Sequence, residues 1–230
     1  MRKIGLIGGL GPESTLDYYK GIISSFAAAG ANYDYPEIFI HSVSLARFMR
    51  LANAGEWAQV AEMLLESVEA LGRAGADFAA IASNTPHLVF EAVSSRSPLP
   101  LVSIVEATLH RAVVMGLKRP GMLGTRLTMD SRLYQDRFEP EGMAVAVPLP
   151  EERELIQKRL DTEIEMGIFK DATRGELLRI VSRMRREQGI DSVILGCTEL
   201  PLILGGDELG LPFLNTAAIH VAAIVEYCRA

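Results

Sequence analysis

Two short polar segments of the chain contain the side chains that proton-transfer chemistry uses. They are Ser83-Asn84-Thr85 and Cys197-Thr198-Glu199, and each follows a short apolar run that predicts a buried strand. A Cys thiol has an ordinary pKa of about 8.5, and a position at the start of a helix favours its thiolate. We therefore expect Cys197 to act as an acid or base, with the Ser83 hydroxyl as a second proton carrier.

The same two segments provide hydrogen-bond donors for an anion. Backbone N–H groups at a strand-to-helix turn can hold a carboxylate, and the side chains of Asn84, Thr85 and Thr198 add further donors. Such donors stabilise the charge that collects on a carboxylate when the neighbouring α-carbon loses its proton. Position alone leaves two structural alternatives open: Cys197 as a buried thiol, and Ser83 as the N-cap of the following helix.

The elements around these segments alternate between strand and helix, which predicts parallel βαβ units and an α/β fold. Lys3–Gly8 is a predicted strand that ends in a glycine-rich turn around Leu10, and Pro120–Gly124 is another that ends before Thr125. The other predicted strands are Glu37–His41, Asp77–Ala82, Leu101–Ile104, Met143–Val147, Asp191–Leu195 and Leu211–Leu214. The predicted helices are Glu13–Ala28, Gly55–Ala74, Pro86–Ser94, Val105–Met115, Glu151–Met166, Ala172–Gln188 and Thr216–Cys228.

Three segments of the first half of the chain recur in the second half in the same order. The matched pairs are Gly8 with Gly124, Ser83 with Cys197, and Leu101 with Phe213. Their separations of 116, 114 and 112 residues are nearly constant, which favours an internal duplication. The duplication predicts two pseudo-symmetric lobes, residues 1–100 with about 211–230, and residues 101–210, each a parallel sheet flanked by helices.

The duplication also gives the two polar segments a joint role. Ligands of parallel sheets bind beyond the carboxyl ends of the strands, where both segments are predicted to lie. If the lobes face each other with the active site between them, Ser83 and Cys197 lie on opposite sides of one bound molecule. Inversion at a carbon needs that arrangement, because one group removes a proton and the other delivers a proton to the opposite face.

Composition excludes several classes of protein. The 230 residues are 49% hydrophobic and carry a net charge of -6, which is typical of a globular protein and argues against nucleic-acid binding. Two cysteines are too few for a disulfide framework. We find no secretory signal pattern and no apolar run of ~20 residues, so we expect a cytoplasmic protein without a membrane span.

Cofactor and metal sites are not predicted. The four His residues lack the spacing of metal ligands, and the glycine-rich turn after Gly8 lacks the dinucleotide-binding fingerprint. A pyridoxal enzyme needs a Lys in a suitable site, and none of the Lys residues lies at a predicted strand end of the cleft.

The residues around Cys197 resemble a known family. Val193–Ile203, with Gly-Cys-Thr-Glu-Leu-Pro at its centre, resembles the second signature of the aspartate/glutamate racemases. Ile81–His87 resembles the first signature, in which Cys-Asn-Thr is usual, and Ile4–Thr15 resembles the N-terminal glycine turn. The resemblance covers the whole chain. It implies a two-lobed fold, a small-molecule amino-acid substrate, a homodimer, and racemisation without pyridoxal phosphate or any other cofactor.

The chain departs from the family pattern at two places. Ser83 stands where the family usually has Cys, and a hydroxyl can protonate a carbanion but needs assistance as a base. Glu165 stands near the place where aspartate-specific relatives use a Lys to bind the side-chain carboxylate of the substrate, so it disfavours an acidic substrate if it faces the pocket. Arg47 is an alternative source of positive charge, with a solvated surface position as its competing interpretation.

Together these residues predict an amino-acid racemase in which Cys197 and Ser83 transfer protons at the α-carbon. The predicted substrate-binding residues are Leu10, Asn84, Thr85, Thr125, Thr198, Glu199, Arg47 and Glu165. Two alternatives remain open. One is a related decarboxylase or isomerase that uses the single Cys, and the other is a non-catalytic small-molecule-binding protein, which the serine at position 83 favours.

Overall fold

The computed structural model describes residues 1–30 and 33–230 of the chain. They form two compact units, Met1–Ala107 together with Ala217–Ala230, and Thr108–Thr216. Each unit contains a parallel sheet flanked by helices, so the predicted α/β class is confirmed. In the described part of the chain, no helix combines the length and apolar character that crossing a bilayer requires.

Four strands form the sheet of the first unit: β1 (Ile4–Gly8), β2 (Ile38–Ser42), β3 (Phe78–Ile81) and β4 (Leu101–Val102). They are parallel and lie in the order β2-β1-β3-β4. Strands β1 and β3 are buried along their whole length. Strands covered on both faces are continuous apolar runs rather than alternating ones, which is why both were recognisable in the sequence.

Three strands form the sheet of the second unit: β5 (Pro120–Gly124), β6 (Ser192–Gly196) and β7 (Phe213–Asn215). They are parallel, in the order β5-β6-β7. Ala146 adds one parallel bridge to β5, in which Met122 N–H donates to the Ala146 carbonyl and Ala146 N–H donates to the Pro120 carbonyl (both 2.9 Å). With this bridge the second sheet repeats the strand order of the first, as an internal duplication predicts.

The helices connect successive strands of each sheet. In the described residues the α-helices are α1 (Pro12–Ala28), α2 (Leu45–Asn53), α3 (Trp57–Ala74), α4 (Phe90–Ser94), α5 (Ile104–Val114), α6 (Arg126–Asp130), α7 (Gln135–Phe138), α8 (Pro150–Thr162), α9 (Asp171–Gln188) and α10 (Thr216–Arg229). Short 3-10 helices cover Thr85–Val89, Glu139–Glu141, Ile164–Met166 and Leu200–Leu202.

Helices α2 and α3 show how local sequence sets the element bounds. Helix α3 buries one face through residues at helical spacing, and it ends at Gly75, which adopts the left-handed conformation (φ 104°) that glycine tolerates best. Helix α2 was not predicted. It begins after Ser44, whose hydroxyl accepts the Arg47 N–H (3.2 Å), so the N-cap was its recognisable signal.

Strands β4 and β7 pair differently from the predicted lobe assignment. The sequence assigns Leu211–Leu214 to the first lobe and Leu101–Ile104 to the second. In the structure β7 pairs with β6 in the second sheet, and β4 pairs with β3 in the first. Each strand supplies backbone hydrogen-bond partners to the strand beside it, β3 or β6. Of the C-terminal segment, helix α10 does pack in the core of the first unit.

The predicted strand Met143–Val147 is reduced to the single bridge at Ala146. Gly142 precedes it in the left-handed conformation (φ 74°), and Pro148 follows it and has no N–H group to donate. These two residues restrict the pairing to a short stretch.

The starts of β1 and β5 are held by the same kind of carboxylate contact, which also supports the duplication. Asp77 Oδ2 accepts the Lys3 N–H (2.6 Å), and Asp191 Oδ2 accepts the Lys118 and Arg119 N–H groups (2.6 and 2.9 Å). Asp77 and Asp191 are 114 residues apart, the same separation that relates Ser83 to Cys197.

Asp191→Ala is expected to lower the free energy of unfolding by about 1 kcal/mol, because it removes the acceptor of two N–H groups at the start of β5. Asp77→Ala is the matched change in the first unit. It should lower the free energy of unfolding by less, because it removes the acceptor of only one N–H group. Chemical denaturation followed by circular dichroism measures both. An Asp191→Ala variant with unchanged stability would contradict the proposed anchoring.

Candidate functional site

The first unit brings two predicted segments to neighbouring positions. Leu10 follows β1 and Ser83 follows β3, and these strands are adjacent and parallel, with Ile7 opposite Ile81. Ala82 N–H donates to the Ile7 carbonyl (3.0 Å), which extends the pairing to the edge of the Ser83 turn. Leu10 and Ser83 are both nearly buried. The carboxyl ends of β1 and β3 therefore bring the Leu10 and Ser83 turns together.

Hydrogen bonds on both sides fix the backbone at Ser83. Its N–H donates to the Ile81 carbonyl (2.8 Å), and its own carbonyl contacts His87 Nδ1 (2.9 Å). Just before it, the Ser14 hydroxyl donates to the Ala82 carbonyl (3.0 Å). The turn thus has a defined conformation although it lies outside the regular elements.

The helical segment after Ser83 begins at Thr85, one residue earlier than predicted. A 3-10 helix starts at Thr85, and its N-cap residue is Asn84, whose carbonyl accepts the His87 N–H (2.9 Å). The alternative in which Ser83 is the N-cap is therefore wrong. Asn84 and Thr85 are both buried beside Ser83 at the start of this helix.

The second unit repeats this arrangement around a pair of glycines. Gly124 of β5 lies opposite Gly196 of β6, and the next residues in the two chain segments are Thr125 and Cys197. A Cβ atom at Gly196 would lie 2.6 Å from the Met122 methyl, and one at Gly124 would lie 3.1 Å from the Gly196 carbonyl oxygen. Because both positions lack side chains, the strands end close together and place Thr125 and Cys197 at the same edge.

Cys197 forms a compact polar group with its two sequence neighbours. Its thiol is only 5% exposed and donates to Glu199 Oε2 (3.1 Å). The Thr198 hydroxyl donates to the same oxygen (2.8 Å). Glu199 thus accepts two side-chain hydrogen bonds, one of them from the candidate acid.

The protonation state of Cys197 differs from the sequence-based prediction. Burial raises the pKa of the thiol well above its ordinary value, and the negative charge of Glu199 raises it further, while a backbone hydrogen bond from Glu199 opposes both effects. The expected stabilisation of the thiolate by a helix N-terminus is wrong, because only the three-residue 3-10 helix Leu200–Leu202 follows. Cys197 therefore rests as a protonated thiol.

Glu165 belongs to the electrostatic surroundings of Cys197. It lies in the 3-10 helix Ile164–Met166, and its charge contributes to the raised pKa of the Cys197 thiol. Glu165 is exposed as a residue, yet partial burial of its carboxyl raises the pKa of that group, and the charges of Glu199 and Asp161 raise it further. This side of the second unit is therefore locally acidic.

Arg47 lies in helix α2 of the first unit. Its guanidinium forms a 3.3 Å ion pair with Glu66 of α3, and both side chains are largely exposed. Exposed pairs of this kind contribute little to stability and are solvated. The surface interpretation of Arg47 agrees with this geometry.

Comparison with known proteins identifies the family. The family described as Asp/Glu/Hydantoin racemase matches residues 7–224, which is nearly the whole chain. The chain belongs to this family. It is an isomerase of the racemase type, and the comparisons favour this class over the decarboxylase and the non-catalytic binding protein.

Relatives of this racemase match it over almost its full length. The broad-specificity amino-acid racemase RacX of Bacillus subtilis is 23% identical over 94% of this chain and 93% of its own. The crystal structure of an aspartate racemase homologue from Pyrococcus horikoshii has 36% identity and a TM-score of 0.88, with complete coverage of both chains. A protein from Yersinia pestis proposed to be an Asp/Glu racemase has 31% identity and a TM-score of 0.92, again with complete coverage.

The Glu199 carboxylate makes a testable contribution to the acidity of Cys197 in this racemase. Glu199→Gln is expected to lower the pKa of the thiol, because it removes the negative charge that disfavours the thiolate. The ultraviolet absorbance of the thiolate against pH measures this in a Cys228→Ser background, where Cys197 is the remaining thiol.

Thr198→Val provides the matched control for that titration. It removes a hydrogen bond to Glu199 and leaves the carboxylate charge in place. The thiol should then titrate at a pH no lower than in the parent chain. If Glu199→Gln also leaves the titration unchanged or moves it to higher pH, Glu199 does not control the acidity of Cys197.

Other reactive groups of the racemase have structural partners. The Cys228 thiol is buried in α10 and donates to the Arg2 carbonyl (3.1 Å), which gives it a structural role. Both cysteines are free thiols. Among residues 1–30 and 33–230, no group of three or more His, Cys, Asp and Glu residues is arranged to hold a metal ion.

Two supporting residues of the Ser83 turn were not assigned a role from the sequence. Ser14 is almost completely buried and bonds to the end of β3. Thr15 Oγ1 accepts the Gly9 N–H (2.9 Å) and so holds the glycine-rich turn after β1. Both belong to the Gly-Pro-Glu-Ser-Thr segment, so the polar residues directly after that turn were the available signal.

Proposed function

We propose that this racemase inverts the α-carbon of an amino acid by two-base proton transfer, with Cys197 on one face and Ser83 on the other. The observation that carries the proposal is the buried Cys197 thiol, which is hydrogen-bonded to the Glu199 carboxylate at the end of β6. A thiol held by a carboxylate can both give and receive a proton. The scheme uses side chains alone and needs no pyridoxal phosphate or other cofactor.

Cys197 acts in each direction through Glu199. As an acid, the resting thiol protonates the α-carbanion, and the resulting thiolate keeps the electron pair of the S–H bond. As a base, Cys197 first passes its proton to the Glu199 carboxylate, and the thiolate then removes the α-proton while the C–H electron pair stays on the substrate. Glu199 thus accepts the thiol proton directly, so that a thiolate can form although the pKa of the thiol is raised.

Ser83 supplies the proton on the opposite face. Its hydroxyl is a much weaker acid than a thiol, but the α-carbanion of an amino acid is basic enough to take its proton. Since racemisation has an equilibrium constant of one, kcat/KM is equal in the two directions. In the direction in which Ser83 is the base, its hydroxyl first loses its proton to solvent, and the oxygen then removes the α-proton. This weak base slows both directions equally and does not make the enzyme unidirectional.

The substrate carboxylate is expected to bind to donors next to these two groups. Asn84 and Thr85 follow Ser83, and Thr198 follows Cys197, so each acid–base group has neighbouring donors at its own strand end. Because the Thr198 hydroxyl already donates to Glu199, the backbone N–H is the donor that Thr198 offers. These donors stabilise the charge that develops when the α-proton leaves. Leu10 and Thr125 complete the two strand-end edges.

The side chain of the substrate is expected to be non-acidic. Glu165 and Glu199 make the surroundings of Cys197 negative, and Arg47, the proposed alternative cation, is paired with Glu66. The Bacillus subtilis relative is a broad-specificity amino-acid racemase, which supports a substrate range beyond aspartate and glutamate. The homodimer and the cytoplasmic location that the sequence suggests stay predictions.

Incubation with single amino acids in D2O tests this function. Each L- and D-amino acid is followed by NMR for α-deuterium and by chiral chromatography for configuration. Inversion accompanied by solvent deuterium is the expected result for at least one non-acidic amino acid. If no amino acid is inverted, the racemase proposal fails, and inversion of aspartate and glutamate alone would overturn the proposed substrate range.

A further inference from the structure

A buried imidazole connects the Ser83 turn to the start of helix α5. The His87 side chain is only 3% exposed, and it contacts two backbone groups. Its Nδ1 lies 2.9 Å from the Ser83 carbonyl oxygen, and its Nε2 lies 3.2 Å from the Ile104 nitrogen. Ile104 is the first residue of α5, so one ring links the turn after β3 to the start of α5.

These two contacts determine the tautomer of His87. A backbone N–H can only donate, so Nε2 must be the unprotonated nitrogen that accepts from Ile104. The ring proton is then on Nδ1, which donates to the Ser83 carbonyl. Protonation of the ring would place two donors face to face at Nε2 and break the bond to Ile104.

The surroundings of His87 keep the ring neutral. It stacks on Phe90 (ring centroids 5.1 Å apart) and packs edge-on against His220 (6.1 Å). Burial lowers the pKa of His87 to about 3, with a smaller contribution from His220. His220 is itself held between the Tyr18 hydroxyl (2.8 Å) and the Val102 carbonyl (3.0 Å), and burial lowers its pKa to about 4. Near neutral pH both imidazoles are therefore uncharged.

We infer that His87 is a positioning residue for Ser83: its Nδ1–H fixes the Ser83 carbonyl and thereby aims the Ser83 hydroxyl at the substrate. The inference rests on the proposed role of Ser83. The equivalent position in the second unit, 114 residues later, is Pro201, which has no donor. There a side-chain bond from Cys197 to Glu199 holds the acid–base group, whereas Ser83 is followed two residues later by Thr85.

Two substitutions test the two hydrogen bonds of the imidazole separately. His87→Asn can keep a side-chain N–H near the Nδ1 position, and so a donor for Ser83, but it is too short to accept from Ile104. His87→Gln can keep an acceptor near the Nε2 position for Ile104, and it loses the donor to Ser83. Both variants place an amide side chain at the same buried position, so they are matched controls for each other.

Positioning predicts different kinetics for the two variants. His87→Gln should lose at least about tenfold in kcat for inversion with little change in KM, because a misplaced reacting group slows the chemical step. It should retain the α-deuterium exchange without inversion that Cys197 alone can perform on one enantiomer. His87→Asn should keep inversion within about threefold of the parent, since a donor to Ser83 remains.

Equal losses in the two variants, or full inversion by His87→Gln, would overturn the inference. Melting temperatures check that both variants are folded during the assay.

A second measurement uses the unaltered protein and does not depend on variant folding. Long-range 1H–15N NMR near neutral pH should show His87 with a protonated Nδ1 and an unprotonated Nε2, and the opposite tautomer would also overturn it. If the parent chain inverts no amino acid, the proposed function is refuted. If the parent inverts an amino acid and the His87→Gln variant inverts it equally well, only the positioning role is refuted.

Discussion

Cys197→Ala is expected to abolish both inversion and α-proton exchange, with a loss in kcat/KM on the order of 10³-fold or more. The variant lacks the group that protonates one face of the carbanion, and the Glu199 carboxylate loses the thiol through which it acts. Ser83 alone cannot replace it, because a hydroxyl without a partner base does not remove an α-proton efficiently. Chiral chromatography and α-deuterium NMR measure the two losses separately.

Cys228→Ala is the matched control for that change. It also removes a buried thiol, but one that donates to the Arg2 carbonyl next to the chain terminus. Inversion should be retained at temperatures where the variant is folded. Substantial racemase activity in Cys197→Ala, or equal losses in the two variants, would rule out the role assigned to Cys197.

Ser83→Cys is expected to preserve or raise racemase activity, by up to about 10²-fold in kcat/KM. The Cys thiol replaces the Ser hydroxyl atom for atom and ionises far more readily, so it is the better proton carrier on this face. The turn that holds position 83 depends on backbone bonds to Ile81 and His87, which the substitution leaves in place. Because the equilibrium constant is one, kcat/KM should rise equally for both enantiomers.

Ser83→Ala tests the same position by removing the hydroxyl group. It should lose inversion while Cys197 still exchanges the α-proton of one enantiomer with solvent. A large loss of activity in Ser83→Cys, or unchanged inversion in Ser83→Ala, would show that Ser83 is not the second proton carrier.

Much of the fold was predictable because three of its buried strands, β1, β5 and β6, are apolar runs that end in glycine. Pro120–Gly124 was predicted with the bounds that β5 has, and the long helix α9 was one residue from its predicted start. The missed helices α2, α6 and α7 are short, so few apolar repeats mark them. Pairing of β4 and β7 was not predictable from local pattern, since it consists of backbone hydrogen bonds to β3 and β6, which are distant in the sequence.

The candidate site was predictable in position but not in electrostatics. Strand-end turns carrying Ser83 and Cys197 followed from the alternating pattern and the duplication. The pKa of Cys197 was predicted in the wrong direction, because burial and the orientation of the Glu199 carboxylate arise from tertiary packing. The tautomer of His87 could not be predicted for the same reason, since it depends on contact with Ile104, 17 residues further along the chain.

The isotope content of the first product formed tests two-base inversion most directly. One enantiomer is incubated in D2O, and both enantiomers are separated after only a few per cent of conversion. If Cys197 and Ser83 act on opposite faces, the product carries solvent deuterium at the α-carbon while the remaining substrate keeps its protium. A product that retains the original α-protium would mean that a single group moves the proton between faces, and would contradict the two-base account.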